Sequence, residues 1–374
     1  MNQPAVDADA GTSASPAAVL YAAPEGIAPS GDYSVTINGA PAFVHAARAS
    51  ALPVGEWWPG HQRPLSETEI TSFVHFALRD RCEIRVTFHH DILHKVTIKP
   101  ERHGIEADIL ERSRNEGVFA FSIAEPGTYI CEIDTLHYPL YVIAHPPEEA
   151  SPDRNDPDVL FYGPGYHDVG KILLKENQHL HIAGGAVVHG YVEAVEADNL
   201  RISGHGILEA SGTPRNDAPP DAPPHEQAFP RGPYLLHLQG CRNVRVEGIS
   251  IMDAPFWTFV LTKCAHVRID AVQVFGGWRY NSDGIDVVNC HDVAIRNSFI
   301  RAYDDCICIK GREETSGYPT GFANCEKIEA SNCLLWNDWG VAIKIGTETM
   351  AAEMKEMRFE NIDVPYFCEQ PFAV

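Results

Sequence analysis

Asp283 lies in YNSDGIDV (280–287), and Asp304 and Asp305 lie in AYDDCICIK (302–310), 21 and 22 residues further on. That offset suits one turn of a coiled stack of strands, in which neighbours lie about 4.8 Å apart. Stacked in this way, the three carboxyls fall into one cluster. Like charges that close raise at least one pKa and leave a protonated acid beside ionised partners. Hydrolysis of a glycosidic bond needs that combination, an acid for the leaving oxygen and a base or nucleophile opposite. A turn-capping Asn/Asp ladder and a calcium site are the other uses of the pattern. For an isolated Asp-Gly, either would fit better than catalysis.

The surrounding chain supplies the stack. LRISGHGI (200–207), VRVEGISI (244–251), VRIDAVQV (267–274), VAIRNSFI (293–300), IEASNCLL (328–335) and MRFENIDV (357–364) share apolar residues at their first, third and eighth positions. From residue 244 onward the copies start 23, 26, 35 and 29 residues apart. A period in the twenties with β-type alternation marks the coils of a solenoid, with loops inserted where the gap is longer. The Leu/Asn ladder of leucine-rich repeats is absent.

HIAGGAVVHG (181–190) reads as an earlier coil, and the proline-rich 213–233 as a loop leaving the solenoid. Between the repeats runs a second strand set: YLLHL, WTFVL, GIDVV, CICIK and AIKIG. Setting Leu236, Phe259, Ile285, Ile307 and Ile343 in register predicts one inward ladder, with Leu238, Leu261, Val287, Ile309 and Ile345 as a second. His237, Val260, Asp286, Cys308 and Lys344 then line the outer face, where a long substrate would lie.

Residues 1–30, rich in Ala, Pro, Ser and Asp, read as a disordered leader. They lack the basic start and apolar run of a secretory signal, so the expected address is cytoplasmic, or secreted if the N-terminus is incomplete. Short alternating strands over 31–147 suggest a β-sandwich. Residues 148–157 read as a linker, and 158–374 as the β-helix, short at its C-terminal end.

The balance of 29 Lys+Arg against 51 Asp+Glu, a net charge of −22, argues against a nucleic-acid partner. No window approaches 18 apolar residues, so no membrane partner is expected. The ten cysteines show no CxxC pair. They read as reduced small hydrophobes, and neither a metal nor another cofactor is expected.

NSDG, DDC one coil later, DAPFW (253–257) one coil earlier and AGGAVVHG (183–190) together resemble glycoside hydrolase family 28, the polygalacturonase-like pectinases. The preceding β-sandwich is similar to the layout of family 49 dextranases and isopullulanases. The resemblance implies an all-β fold, a right-handed parallel β-helix (solenoid) preceded by a small β-sandwich domain. It also implies a glycosidase acting on a polysaccharide, most simply a galacturonan or rhamnogalacturonan of pectin. Carried over by motif, Asp304 would be the general acid. Asp283 and Asp305 would hold and activate water, with inversion at the anomeric carbon. Val341 stands where the family has a histidine in G-H-G-x-S-I-G, and the family's R-x-K motif has no counterpart. His205 sits in a GHG of the wrong coil, where it reads as a turn residue.

Other groups are candidates for substrate binding. Lys310 and Lys344 would bind a substrate carboxylate or keep an aspartate ionised. Arg279, Tyr280 and Trp339 would line subsites, with tryptophan packing at a solenoid corner the equal alternative. Asn281 would fix the Asp283 turn. Asp286 is a fourth acidic candidate, ranked below the three. A β-helix polysaccharide lyase and a non-catalytic carbohydrate-binding solenoid remain as alternatives.

Overall fold

The computed structural model describes residues 16–51, 65–90, 93–148, 151–213, 233–312 and 324–374. The expected proline-rich loop, apart from residues 213 and 233, lies outside them. Among the described residues there is no α-helix. Two small sheets come first. One holds Ala18–Leu20, His45–Ser50, Thr68–Leu78, Val96–Lys99, Gly127–Ile133 and Leu140–His145; the other is the five strands Tyr33–Ile37, Ala40–Ala42, Cys82–Phe88, Asp108–Arg112 and Gly117–Ile123. They enclose a core that includes Val35, Val74, Phe76, Val86, Phe119 and Val142.

Within the stretch expected as a leader, Ala18–Leu20 pairs antiparallel with Phe76–Leu78. Order therefore begins earlier than composition implied, because a three-residue apolar run finds an open sheet edge. Residues 1–15 of that leader lie outside the described residues.

From Val159 onward the strands stack in parallel, three to a coil. The first stack runs through Arg242–Glu247, Ala265–Asp270, His291–Arg296, Cys325–Ser331 and Met354–Glu360. The second runs through Ser250–Met252, Gln273–Phe275, Phe299–Ala302 and Leu334–Asn337. The third is Leu236–Gln239, Phe259–Thr262, Ile285–Val288, Ile307–Gly311 and Val341–Thr349. Each repeat recognised in sequence is one strand of the first stack followed by one of the second.

The predicted register of the third stack is the observed one. Leu236, Phe259, Ile285, Ile307 and Ile343 align, and so does the outer row His237, Val260, Asp286, Cys308 and Lys344. Between the first and second stacks each coil turns through a left-handed residue, namely Ala271, Asn297, Asn332 and Asn361 with φ of 50°, 52°, 54° and 51°. Asn tolerates this conformation. Its amide also donates to the preceding coil, Asn332 to Asn297 at 3.3 Å and Asn361 to Asn332 at 3.2 Å.

The sandwich packs on the second stack. Phe73, Tyr141 and Ile143 meet Phe275, Phe299 and Trp336 in a shared buried cluster. Arg301 is buried there, donating to the Tyr141 hydroxyl at 2.7 Å and to Asp338 at 3.0 and 3.2 Å. Further along the same junction, His75 and His145 of the sandwich and His205 of the β-helix form an aromatic row. The His145 and His205 rings are stacked with centroids 4.3 Å apart. All ten cysteines are free thiols, and all but Cys368 are buried.

Candidate active site

The YNSDG turn is built to present Asp283. Asn281 takes the left-handed conformation at φ 57°, and the Ser282 hydroxyl donates to the Arg279 carbonyl at 2.7 Å. Gly284 must be glycine because the next coil lies against it. A Cβ there would sit 2.4 Å from the Cys306 carbonyl oxygen. The Gly284 N–H instead donates to the Asp305 carbonyl at 2.8 Å, locking the two motifs together. Asn337 donates to the Asp304 carbonyl at 2.5 Å. At Gly340 a Cβ would meet Oδ1 of both Asp304 and Asp305, at 2.6 and 2.7 Å, so both carboxyls crowd one point of backbone.

The carboxyls differ in their partners. Asp283 faces Lys310 Nζ at 3.1 Å, and the same ammonium lies 2.5 Å from Asp286. Asp305 accepts the Val341 N–H at 2.9 Å and faces Lys344 Nζ at 3.1 Å. The Cys308 thiol is 3.5 Å from Asp305. Asp304 has no ion pair among the described residues, and the Asn281 amide lies 3.4 Å from its Oδ2. It is also the most exposed of the four, the others being buried.

Burial, followed by the charge of Asp305, pushes the Asp304 carboxyl up to about 7. Burial raises Asp286 to about 6, against the pull of Lys310. Burial also raises Asp283 well above the carboxylate range; Lys310 opposes that, while Asp286, Asp304 and Asp305 add to it. For Lys310 burial works downward, but Asp286 and Asp283 outweigh it and keep the ammonium charged. At neutral pH the Asp304 carboxyl therefore still holds its proton in a substantial share of molecules. That is the state a general acid requires.

The structure thus brings together Asp283, Asp304, Asp305, Asp286, Asn281, Lys310 and Lys344. It separates others from them. Arg279 is buried, donating to the Thr213 carbonyl at 3.0 Å and lying 4.0 Å from Asp253, so its guanidinium serves the fold rather than a subsite. Lys310, buried between two carboxylates, holds aspartates and not a substrate carboxylate. Trp339 is half-buried and stacks on Tyr303 with centroids 6.0 Å apart, and Tyr280 is half-buried. His205 bonds Tyr21 at 2.5 Å in the domain junction. The Asn ladder occupies a different corner, so the aspartates are not its members.

Sequence reasoning missed Asn337, Gly340 and the packing of Trp257 under Lys310. The signal was present in NDWG (337–340), one coil after DDC.

Residues 179–365, half of the chain, match the profile of glycosyl hydrolases family 28. Rhamnogalacturonase A of Aspergillus niger is 33% identical over 142 residues, covering 37% of this chain and 28% of that protein. A probable polygalacturonase of Vitis vinifera is 23% identical over 132 residues, covering 35% and 26%. Both matches span little more than a quarter of the relative's length. Beyond the profile, Dex49A from Penicillium minioluteum superposes over 92% of this chain and 72% of its own, with a TM-score of 0.61 at 14% identity. That likeness extends the shared architecture to the sandwich. With its two motifs stacked one coil apart inside the matched region, the chain belongs to glycosyl hydrolases family 28.

Proposed function

We propose that the protein hydrolyses glycosidic bonds of a pectin-type polysaccharide by single-step, inverting acid/base catalysis. Asp304 gives its proton to the glycosidic oxygen as that bond breaks. Asp283 and Asp305 orient a water molecule and take its proton as its oxygen bonds the anomeric carbon from the opposite face. The observation that carries this reading is the uneven pairing of the carboxyls. A lysine ammonium lies 3.1 Å from Asp283 and another lies 3.1 Å from Asp305, whereas Asp304 has no ion pair among the described residues, is the most accessible and titrates near neutrality. The pectin assignment rests on the family and on what its matched relatives are named for.

Reducing-end release from polygalacturonan, rhamnogalacturonan and dextran, with NMR of the first-formed anomer, tests it. Wild type should cleave one of the pectic substrates with inversion, and Asp304→Asn should lose about 100-fold or more in kcat. Unchanged activity in Asp304→Asn removes the role given to Asp304. Products absorbing as unsaturated sugars would mark a lyase instead. Both lysines are engaged by carboxylates, which disfavours them as lyase bases.

A further inference from the structure

Lys310 is the less accessible of the two ammonium groups in the cluster and the more tightly enclosed. It leaves its strand on the outer face, in register with Val288, and reaches back one coil to Asp286. An ammonium group has three donors. One lies 2.5 Å from Asp286 Oδ1 and another 3.1 Å from Asp283 Oδ2. The Trp257 ring lies beneath, its centroid 3.6 Å from Nζ, an arrangement that attracts a cation to the aromatic face. With 4% of its surface exposed, the residue presents nothing to a substrate.

We propose that Lys310 is a positioning residue of the hydrolytic site: pinned by Asp286 over the face of Trp257, its ammonium fixes the Asp283 carboxyl and draws it toward its charged form. The inference rests on the hydrolase reading above, in which Asp283 must accept a proton. Every other influence at Asp283 works the opposite way. Burial disfavours its charge, and so do Asp286, Asp304 and Asp305. Without Lys310 the carboxyl would hold its proton to still higher pH and take one from water less readily. Asp286 then has a double effect. It anchors the ammonium, but its own charge opposes ionisation of Asp283.

Those opposed effects give a test that a merely structural lysine would fail. The kcat/KM profile against pH is measured for wild type, Lys310→Met, Lys310→Arg and Asp286→Asn, on polygalacturonan or rhamnogalacturonan, whichever the wild type cleaves. Lys310→Met should lose about 100-fold below its displaced acid limb, and that limb should move to higher pH. Lys310→Arg should recover most of the loss, and Asp286→Asn should move the limb to lower pH. A folded Lys310→Met with the wild-type limb overturns the proposal. So do limbs that move the same way in Lys310→Met and Asp286→Asn. If Lys310→Met does not fold, an unmoved limb in Asp286→Asn overturns it and a lowered one supports it.

Infrared titration of the protonated carboxyl band in the same full-length proteins separates the two readings. A wild type that hydrolyses none of the substrates defeats the hydrolase reading alone. The titration still judges the lysine: a carboxyl that stays protonated to higher pH in Lys310→Met supports its hold on Asp283, and an unchanged band overturns it.

Discussion

At the scale of single residues, Asp304 ties activity and stability to pH in the same sense. As the proposed general acid its carboxyl must carry a proton to act, so the rate should fall as pH rises through about 7. Lys344, whose charge works to lower that value, gives a signed check. In Lys344→Met the basic limb of the kcat/KM profile should move upward. Stability follows from the same displacement. The folded chain holds this proton more firmly than the unfolded one between about pH 4 and about 7, so stability drops as pH rises through that window. Asp304→Asn should therefore raise Tm by a few degrees at about pH 8 and leave it unchanged at about pH 3.5, as scanning calorimetry would show. The motif spacing already pointed to these aspartates. The partner of each was not legible, because Lys310 reaches diagonally across a coil and the choice between substrate and aspartate depends on that path.

At the scale of strands and turns, backbone clearance sets the geometry. Gly340→Ala should cut kcat by about 10- to 100-fold, because its Cβ would displace the Asp304 and Asp305 carboxyls, while the melting temperature changes little. Gly284→Ala meets a carbonyl of the next coil instead. It should cost about 1–3 kcal/mol in chemical denaturation. The third-stack register was readable in full, since Ile285 and Ile307 face a continuous core while Asp286 and Cys308 face out, a clean two-residue period. Thr68–Leu78 and Leu140–His145 were harder to assign. Val74 and Val142 enter the sandwich core, whereas Phe73 and Tyr141 enter the junction with the β-helix. A strand covered on both faces loses its alternation, and nothing in its own sequence says what covers the second face.

At the scale of the whole molecule, the junction carries its own acid sensitivity. His145 is buried and pushed well below the usual imidazole value by burial and by His205 and His75; its ring nitrogens have no hydrogen-bond partner among the described residues. Burial lowers His205 to about 3, with Glu148 lying 3.8 Å from its ring. Groups whose folded pKa is depressed in this way bind fewer protons than in the unfolded chain, so stability falls as pH drops below about 6.5. His145→Phe should flatten that decline in a series of melts at decreasing pH. Arg301 joins the same junction to the site, three residues ahead of Asp304 and paired with Asp338 beside Asn337. Removing the guanidinium in Arg301→Met would take a salt-bridge partner from the buried Asp338 carboxylate, with an expected loss of about 3–5 kcal/mol. The Tyr141 hydroxyl on that guanidinium also bears on how such enzymes can be recombined. The exchangeable module is larger than the β-helix that bears the aspartates. A chimera given a foreign sandwich without a phenol at this point would inherit the acids intact but take from the buried guanidinium behind them the acceptor of one of its N–H groups.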